Sequence, residues 1–201
     1  MFDARLRPLI DPPLARLATP LVRRGITATQ VTLAGFALGA LACLAIALGA
    51  FWIGLVLIAL NRLADGLDGA IARQTERTDR GGYLDIVLDF FFYGGVPLAF
   101  ALADPASNAL AGSVLLASFY ANGSAFLAFA IMAEKRGLST DAQGQKSLFY
   151  LTGIAEGAET IALFGLMCVF PAAFPALAWG FAAVCFVSAG ARAVLSARLL
   201  S

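Results

Sequence analysis

Apolar stretches of about 20 residues, the length a helix needs to cross a bilayer, recur along this chain with short polar breaks between them. The pattern predicts six spans, over residues 28–50, 51–73, 83–103, 110–133, 147–170 and 176–199. Five of them read as apolar along most of their length. The second is different: 51–60 is apolar, but the half that follows carries Asn61, Arg62, Asp65, Asp68 and Arg73. A polar loop over 74–80 follows. Gly81-Gly82 then opens the third span, which places Asp85 and Asp89 in its first turns before Phe90-Phe91-Phe92 returns it to apolar character. Pro97 predicts a kink in that span, and Pro105, Pro171 and Pro175 punctuate the two turns at the opposite end. Gly25-Ile26-Thr27-Ala28-Thr29 reads as a turn with hydroxyl residues suited to capping the first span. With loops this short and no internal repeat, residues 1–201 read as one all-α polytopic domain: a six-helix bundle over 28–199 preceded by a juxtamembrane segment over 1–20. That segment mixes arginines with Leu6, Ile10, Leu14 and Leu17, which predicts an amphipathic helix on the membrane surface, broken at Pro12-Pro13.

Composition agrees. The chain is 60% hydrophobic and 13% charged, about half the charged share of a soluble domain, with a mean hydropathy of +0.83. The 14 basic residues cluster before the first span, around the second connection, in the fourth connection and at the C-terminus. None lies in the turns near Gly49, Asp104 or Pro171. An even number of spans with that distribution predicts both termini, and the aspartate-bearing loop, on the cytoplasmic side. The net charge of +1 gives no sign of a nucleic-acid partner, because the basic residues serve topology. Cys43, Cys168 and Cys185 fall in separate spans and read as small packing residues. The chain has no histidine. That excludes histidine-based triads and argues against a catalytic zinc site.

The chemistry-bearing residues are the four aspartates. Asp65 and Asp68 are three apart, and Asp85 and Asp89 are four apart. On a helix, either spacing puts both side chains on one face. Carboxylates at the edge of lipid are costly unless something neutralises them, and two such pairs suit a hard, oxygen-liganded divalent cation such as Mg²⁺. A single pair reads equally well as ordinary solvated charge; four in register with nearby glycines and Arg73 do not. Arg77 and Arg80 read as topology determinants, and Asn61 and Arg62 as helix-packing polar residues or walls of the site.

From Asp65 the pattern is D-x2-D-G-x2-A-R-x7-G-x3-D-x3-D, filled by Asp65, Asp68, Gly69, Ala72, Arg73, Gly81, Asp85 and Asp89. It resembles the signature of the CDP-alcohol phosphotransferase (phosphatidyltransferase) family, and the NRLADGLDGA core is most similar to small members of the bacterial inner membrane. The resemblance implies transfer of a phosphatidyl group from CDP-diacylglycerol to an alcohol acceptor, with release of CMP. It implies one or two Mg²⁺ or Mn²⁺ ions held by Asp65, Asp68, Asp85 and Asp89, with Asp89 also the general base. Gly69 and Ala72 would let a nucleotide approach the helix, Gly81 would let the third span start close to the ion, and Arg73 would pair with a phosphate. A homodimer is implied too. Gln30 and Thr32 stand where similar chains carry an asparagine-centred start, a departure that bears on the local nucleotide contacts and not on the chemistry.

The acceptor is open at this point. Lys146 and Arg192 are candidates for an acceptor phosphate, with snorkelling as the competing reading. Glu156 and Glu159, one turn apart in the fifth span, would bind polyol hydroxyls or an ammonium, or pair with Arg192. Two other functions compete. A prenyltransferase also uses aspartate-rich Mg²⁺ sites, but its second aspartate motif is missing. A divalent-cation transporter would spread acidic residues through the bilayer, whereas here only Glu156 and Glu159 lie deeper than the cluster.

Overall fold

A computed structural model describes residues 3–137 and 157–200. Among them are seven α-helices and no strand: α1 Asp3–Arg23, α2 Ala28–Ala47, α3 Phe51–Gln74, α4 Asp79–Ala103, α5 Pro105–Lys135, α6 Gly157–Val169 and α7 Phe174–Leu199. A 3₁₀ turn, Pro171–Ala173, joins the last two.

Local chemistry sets the helix ends. Gly25 takes a left-handed φ of 75° in the turn after α1. Thr27 then caps α2 in a capping box: its side chain accepts from the Gln30 N–H, and the Gln30 side chain accepts from the Thr27 N–H. Thr78 caps α4 by accepting from Gly81 N–H at 3.1 Å, so that helix starts four residues before the predicted span. Asp104 caps α5 by accepting from Ser107 N–H.

Helix α2 packs against α3 and α4, α5 against α4 and α7, and α3 also against α6. Small residues permit the close approach of α2 to α3. A Cβ on Gly35 would lie 3.0 Å from the Ala64 Cβ, and one on Gly54 would lie 2.5 Å from Ile46 Cγ1. The core gathers at the end away from the aspartates, around Ile46, Ile58, Val96, Phe100, Phe164 and Phe174. Phe100 stacks on Phe174 with centroids 4.7 Å apart and on Phe51 at 5.5 Å. With α2 packed against both α3 and α4, that end sets the spacing of their acidic ends.

This is an all-α membrane protein. Helices α2, α4, α5 and the segment 171–199 are long and apolar enough to cross a bilayer. Large apolar side chains such as Leu44, Trp52, Phe91, Leu102 and Val187 face outward, as suits lipid contact. Helix α3 has 24 residues but carries Arg62 at its middle and Asp65, Asp68 and Arg73 in its second half. Of the predicted fifth span, residues 147–156 lie outside the described residues, and its remainder is the 13-residue α6.

One expectation is corrected. Helix α1 runs unbroken through Pro12-Pro13. Tertiary packing offsets the lost backbone bonds: Leu14 and Ala18 are buried against α3 beside Ala70 and Ile71, and Leu14 sits over Gly66, where a Cβ would meet its Cδ1 at 2.7 Å.

Candidate metal centre

The two helical aspartate pairs converge. Asp65 and Asp68 from α3 and Asp85 from α4 each offer a carboxylate oxygen, all within 4.8 Å of one another. Spacing accounts for the pairs, and the packing of both α3 and α4 against α2 brings them together. They line a small cleft of about 20 Å³ with Thr32, Gly35, Phe36, Asn61, Arg62, Leu88 and Asp89, room for about one water-sized centre. Asp68 is the most enclosed, 6% exposed, and the Thr32 hydroxyl donates to its Oδ2 at 2.6 Å. Three converging anionic oxygens with a hydroxyl behind them match the donor preference of Mg²⁺ or Mn²⁺, so these residues fit a divalent ion.

Asp89 lies outside that group. Its Oδ1 accepts from Arg62 Nη2 at 2.8 Å, across from α3 to α4. The same guanidinium has Nη1 3.6 Å from Asp65 Oδ2 and lies over the Phe92 ring, 4.8 Å from its centroid. Its Nε donates to Asn61 Oδ1 at 2.8 Å, and Asn61 Nδ2 donates to the Gly35 carbonyl of α2 at 2.8 Å. Gly39 leaves room for this ladder, since a Cβ there would lie 2.8 Å from Phe92 Cδ2 and 3.1 Å from Asn61 Nδ2.

The remaining expected site residues are distributed as follows. Gly69 opens onto space, with only Arg73 Nη1 within reach of a Cβ, at 3.5 Å; Ala72 beyond it is half-buried. Arg73 does not line the cleft. It pairs with Asp11 of α1 at 3.3 Å. Gly81 is in the first turn of α4, bound to its Thr78 cap. Arg192, 8% exposed, turns toward α5, where Nη1 donates to Asn122 Oδ1 at 3.2 Å and the guanidinium lies 5.4 Å from the Phe126 ring centroid. It is absent from the cleft lining. Glu159 is half-buried in the first turn of α6. Lys146 and Glu156 lie outside the described residues.

Two cleft residues escaped assignment from sequence. Thr32 stood out only as a departure from similar chains; its bond to Asp68 joins residues 36 apart. Arg62 was legible as a site wall at most, although its place three residues before Asp65 puts it on the same helical face.

The CDP-alcohol phosphatidyltransferase family profile matches residues 25–194. The chain is 50% identical over 192 residues to the Inner membrane protein YnjF of Escherichia coli strain K12, covering 96% of this chain and 93% of that one. It is 34% identical over 87 residues to an archaetidylinositol phosphate synthase of Pyrococcus horikoshii, 43% of this chain and 46% of the relative. To the archaetidylinositol phosphate synthase of Methanothermobacter thermautotrophicus it is 38% identical over 89 residues, 44% of this chain and 42% of that one.

Proposed function

The chain belongs to the CDP-alcohol phosphatidyltransferase family, and from that premise we propose that it carries out divalent-metal-dependent transfer from CDP-diacylglycerol to a small alcohol. Phosphatidyl transfer in phospholipid synthesis is the family's activity and makes this membrane protein a phosphotransferase. The observation that carries the metal-dependent reading is the meeting of Asp65, Asp68 and Asp85 within 4.8 Å.

In this reading Asp65, Asp68, Asp85 and Asp89 hold one or two ions, the first three already offering oxygens within 4.8 Å of one another. When bound, Mg²⁺ or Mn²⁺ supplies positive charge to pyrophosphate oxygens. Thr32 orients Asp68 through its 2.6 Å hydrogen bond. Gly69 and Ala72 leave the face of α3 open to the cytidine nucleotide. Gly81 brings the start of α4 close to it, and Arg73 exchanges Asp11 for a nucleotide phosphate. The acceptor oxygen attacks the lipid-side phosphorus as its proton passes to the Asp89 carboxylate. The bond from that phosphorus to the bridging oxygen breaks, and its electron pair leaves with CMP. No covalent enzyme intermediate is required.

An acceptor phosphate is assigned to Lys146 and Arg192, and acceptor hydroxyls to Glu156 and Glu159. For Arg192 this requires exchange of its bond to Asn122. Two relatives are named as synthases of an inositol phosphate lipid, which makes inositol phosphate a first acceptor to test. The basic-residue distribution supports cytoplasmic termini and a cytoplasm-facing site in the inner membrane, with the donor reaching the cleft from the inner leaflet. A homodimer completes the proposal.

The test is CMP release by purified protein with Mg²⁺ or Mn²⁺, CDP-diacylglycerol and a panel of glycerol 3-phosphate, inositol phosphate, inositol, serine, choline and glycerol. One acceptor should support ion-dependent release, and Asp89→Asn should abolish turnover while CDP-diacylglycerol still binds. Metal-independent release, or none with any acceptor and ion, refutes the reading. Undiminished turnover in Asp89→Asn removes that residue as base.

A further inference from the structure

Helix α1 has two faces of different character. Toward the bundle it turns Leu14 and Ala18, 7% and 0% exposed, packed beside Ala70 and Ile71 of α3. Asp11 is on that docked side as well, paired with Arg73. Away from the bundle, Leu9, Pro13 and Leu17 follow at four-residue spacing, which keeps them on one side of a helix. Leu9 and Leu17 are 73% and 53% exposed. Arg16 and Arg23 flank this stripe two turns apart, Arg24 follows directly after the helix, and all three are exposed. Asp11 is the acidic residue of the stretch 9–24, so the outer face carries positive charge alone. Among the described residues no ion pair reaches Arg16, Arg23 or Arg24.

Where α1 docks decides what this face meets. Helix α3 turns Val56, Leu60 and Leu63 outward, at spacings that put them on one flank facing lipid. Gly66 and Ala70 come next on that flank, and there α1 replaces lipid: Leu14 sits over Gly66 and Ala18 beside Ala70. Gln74 fixes the arrangement by donating to the Ala15 carbonyl and accepting from the Thr19 hydroxyl. Helix α1 is therefore seated where the lipid-facing flank of α3 ends, beside its polar half. In a bilayer that is the level of the headgroups. Leucines at this level enter the acyl boundary, while arginines beside them extend to phosphate oxygens. A neutral surface would satisfy the leucines; three exposed arginines with no acidic neighbour on their face match an anionic one.

We propose that the outer face of α1 is a docking surface for anionic phospholipid headgroups in the leaflet beside the aspartate cleft. Arg16, Arg23 and Arg24 bind the headgroup phosphates, and Leu9 and Leu17 anchor the helix in the acyl boundary. This goes beyond surface seating of an amphipathic segment, because it gives the seat a preference for lipid charge. It also stands apart from the metal-dependent reading above, since no residue of the cleft takes part.

The test is hydrogen exchange of the α1 amides in the full-length protein, held in nanodiscs of phosphatidylcholine alone or mixed with phosphatidylglycerol. A basic side chain at an anionic surface contributes about fivefold, so three should slow α1 exchange by at least about tenfold in the mixed discs, with α7 unchanged. Arg16→Gln/Arg23→Gln/Arg24→Gln should lose that difference. Lys135→Gln/Arg136→Gln, which removes exposed positive charge at the end of α5, should keep it. A wild-type measurement in about 0.5 M salt, where charges are screened within a few ångströms, should also lose it and needs no variant to fold. Equal α1 exchange in the two kinds of disc would overturn the proposal. So would a difference that survives the triple substitution or high salt, or one lost equally in the α5 variant.

Discussion

Replacing Asp68 by asparagine should change thermal stability in opposite directions with and without Mn²⁺. Asp68 has an oxygen within 4.8 Å of those offered by Asp65 and Asp85. At that separation two like charges repel by about 3.5 kcal/mol at an effective dielectric of about 20. Water and the neighbouring Arg62, whose Nη1 is 3.6 Å from Asp65, screen much of this, so about 1 kcal/mol is a reasonable net relief. For a chain of this size that corresponds to a melting temperature about 2–4 °C higher without metal. Asparagine keeps a carbonyl oxygen to accept from Thr32, so the hydrogen bond is not the quantity being measured. With Mn²⁺ at a hundred times its Kd, wild type gains about 2.7 kcal/mol by linkage, or about 5–10 °C. A hundredfold weaker site at the same Mn²⁺ concentration gains only about 0.4 kcal/mol, about 1 °C. The assay is thermal unfolding in detergent with chelator and with Mn²⁺. An undiminished Mn²⁺ shift in Asp68→Asn, or a metal-free variant that melts below wild type, would refute the reasoning.

Further outcomes follow from other contacts. Thr32→Val keeps the shape but removes the 2.6 Å bond to Asp68; Mn²⁺ affinity by calorimetry should fall about tenfold with little change in helix content by circular dichroism. Gly39→Ala puts a methyl 2.8 Å from Phe92 and 3.1 Å from Asn61. It should cost about 1–3 kcal/mol, read as a lower melting temperature, and should reduce CMP release by disturbing the Arg62 ladder. Arg192→Ala should raise the KM for a phosphorylated acceptor about tenfold, the worth of one charge-assisted bond of about 1.4 kcal/mol. A lower melting temperature with an unchanged KM would instead make Arg192 a joint between α5 and α7.

The outcome at α1 shows where local signals lose to packing. Pro12-Pro13 removes two backbone donors and predicts a break, but burial of Leu14 and Ala18 on α3 holds the helix through them. Sequence carries the cost of each proline; it does not carry the benefit of a surface that arrives more than 50 residues later, where Gln74 Nε2 also donates to the Ala15 carbonyl, 59 residues away. The α2 start is the opposite case. Thr27 and Gln30 are three apart and satisfy each other within one turn, so the cap was legible directly.

Sequence by itself determined the membrane-helix class, the polar half of α3 and the two aspartate pairs, because hydropathy and helical spacing are properties of consecutive residues. Spacing also placed each pair on one face, which made a divalent-ion site the natural reading. Only the tertiary structure decided how four carboxylates divide: three within 4.8 Å of one another and Asp89 held by Arg62. It alone joined Thr32 to Asp68, Arg73 to Asp11 and Arg192 to Asn122. Those pairings depend on the rotation and offset of whole helices, set by where Gly35 lets α2 meet Ala64 and Gly39 makes room for Phe92. No spacing along a single helix encodes that offset.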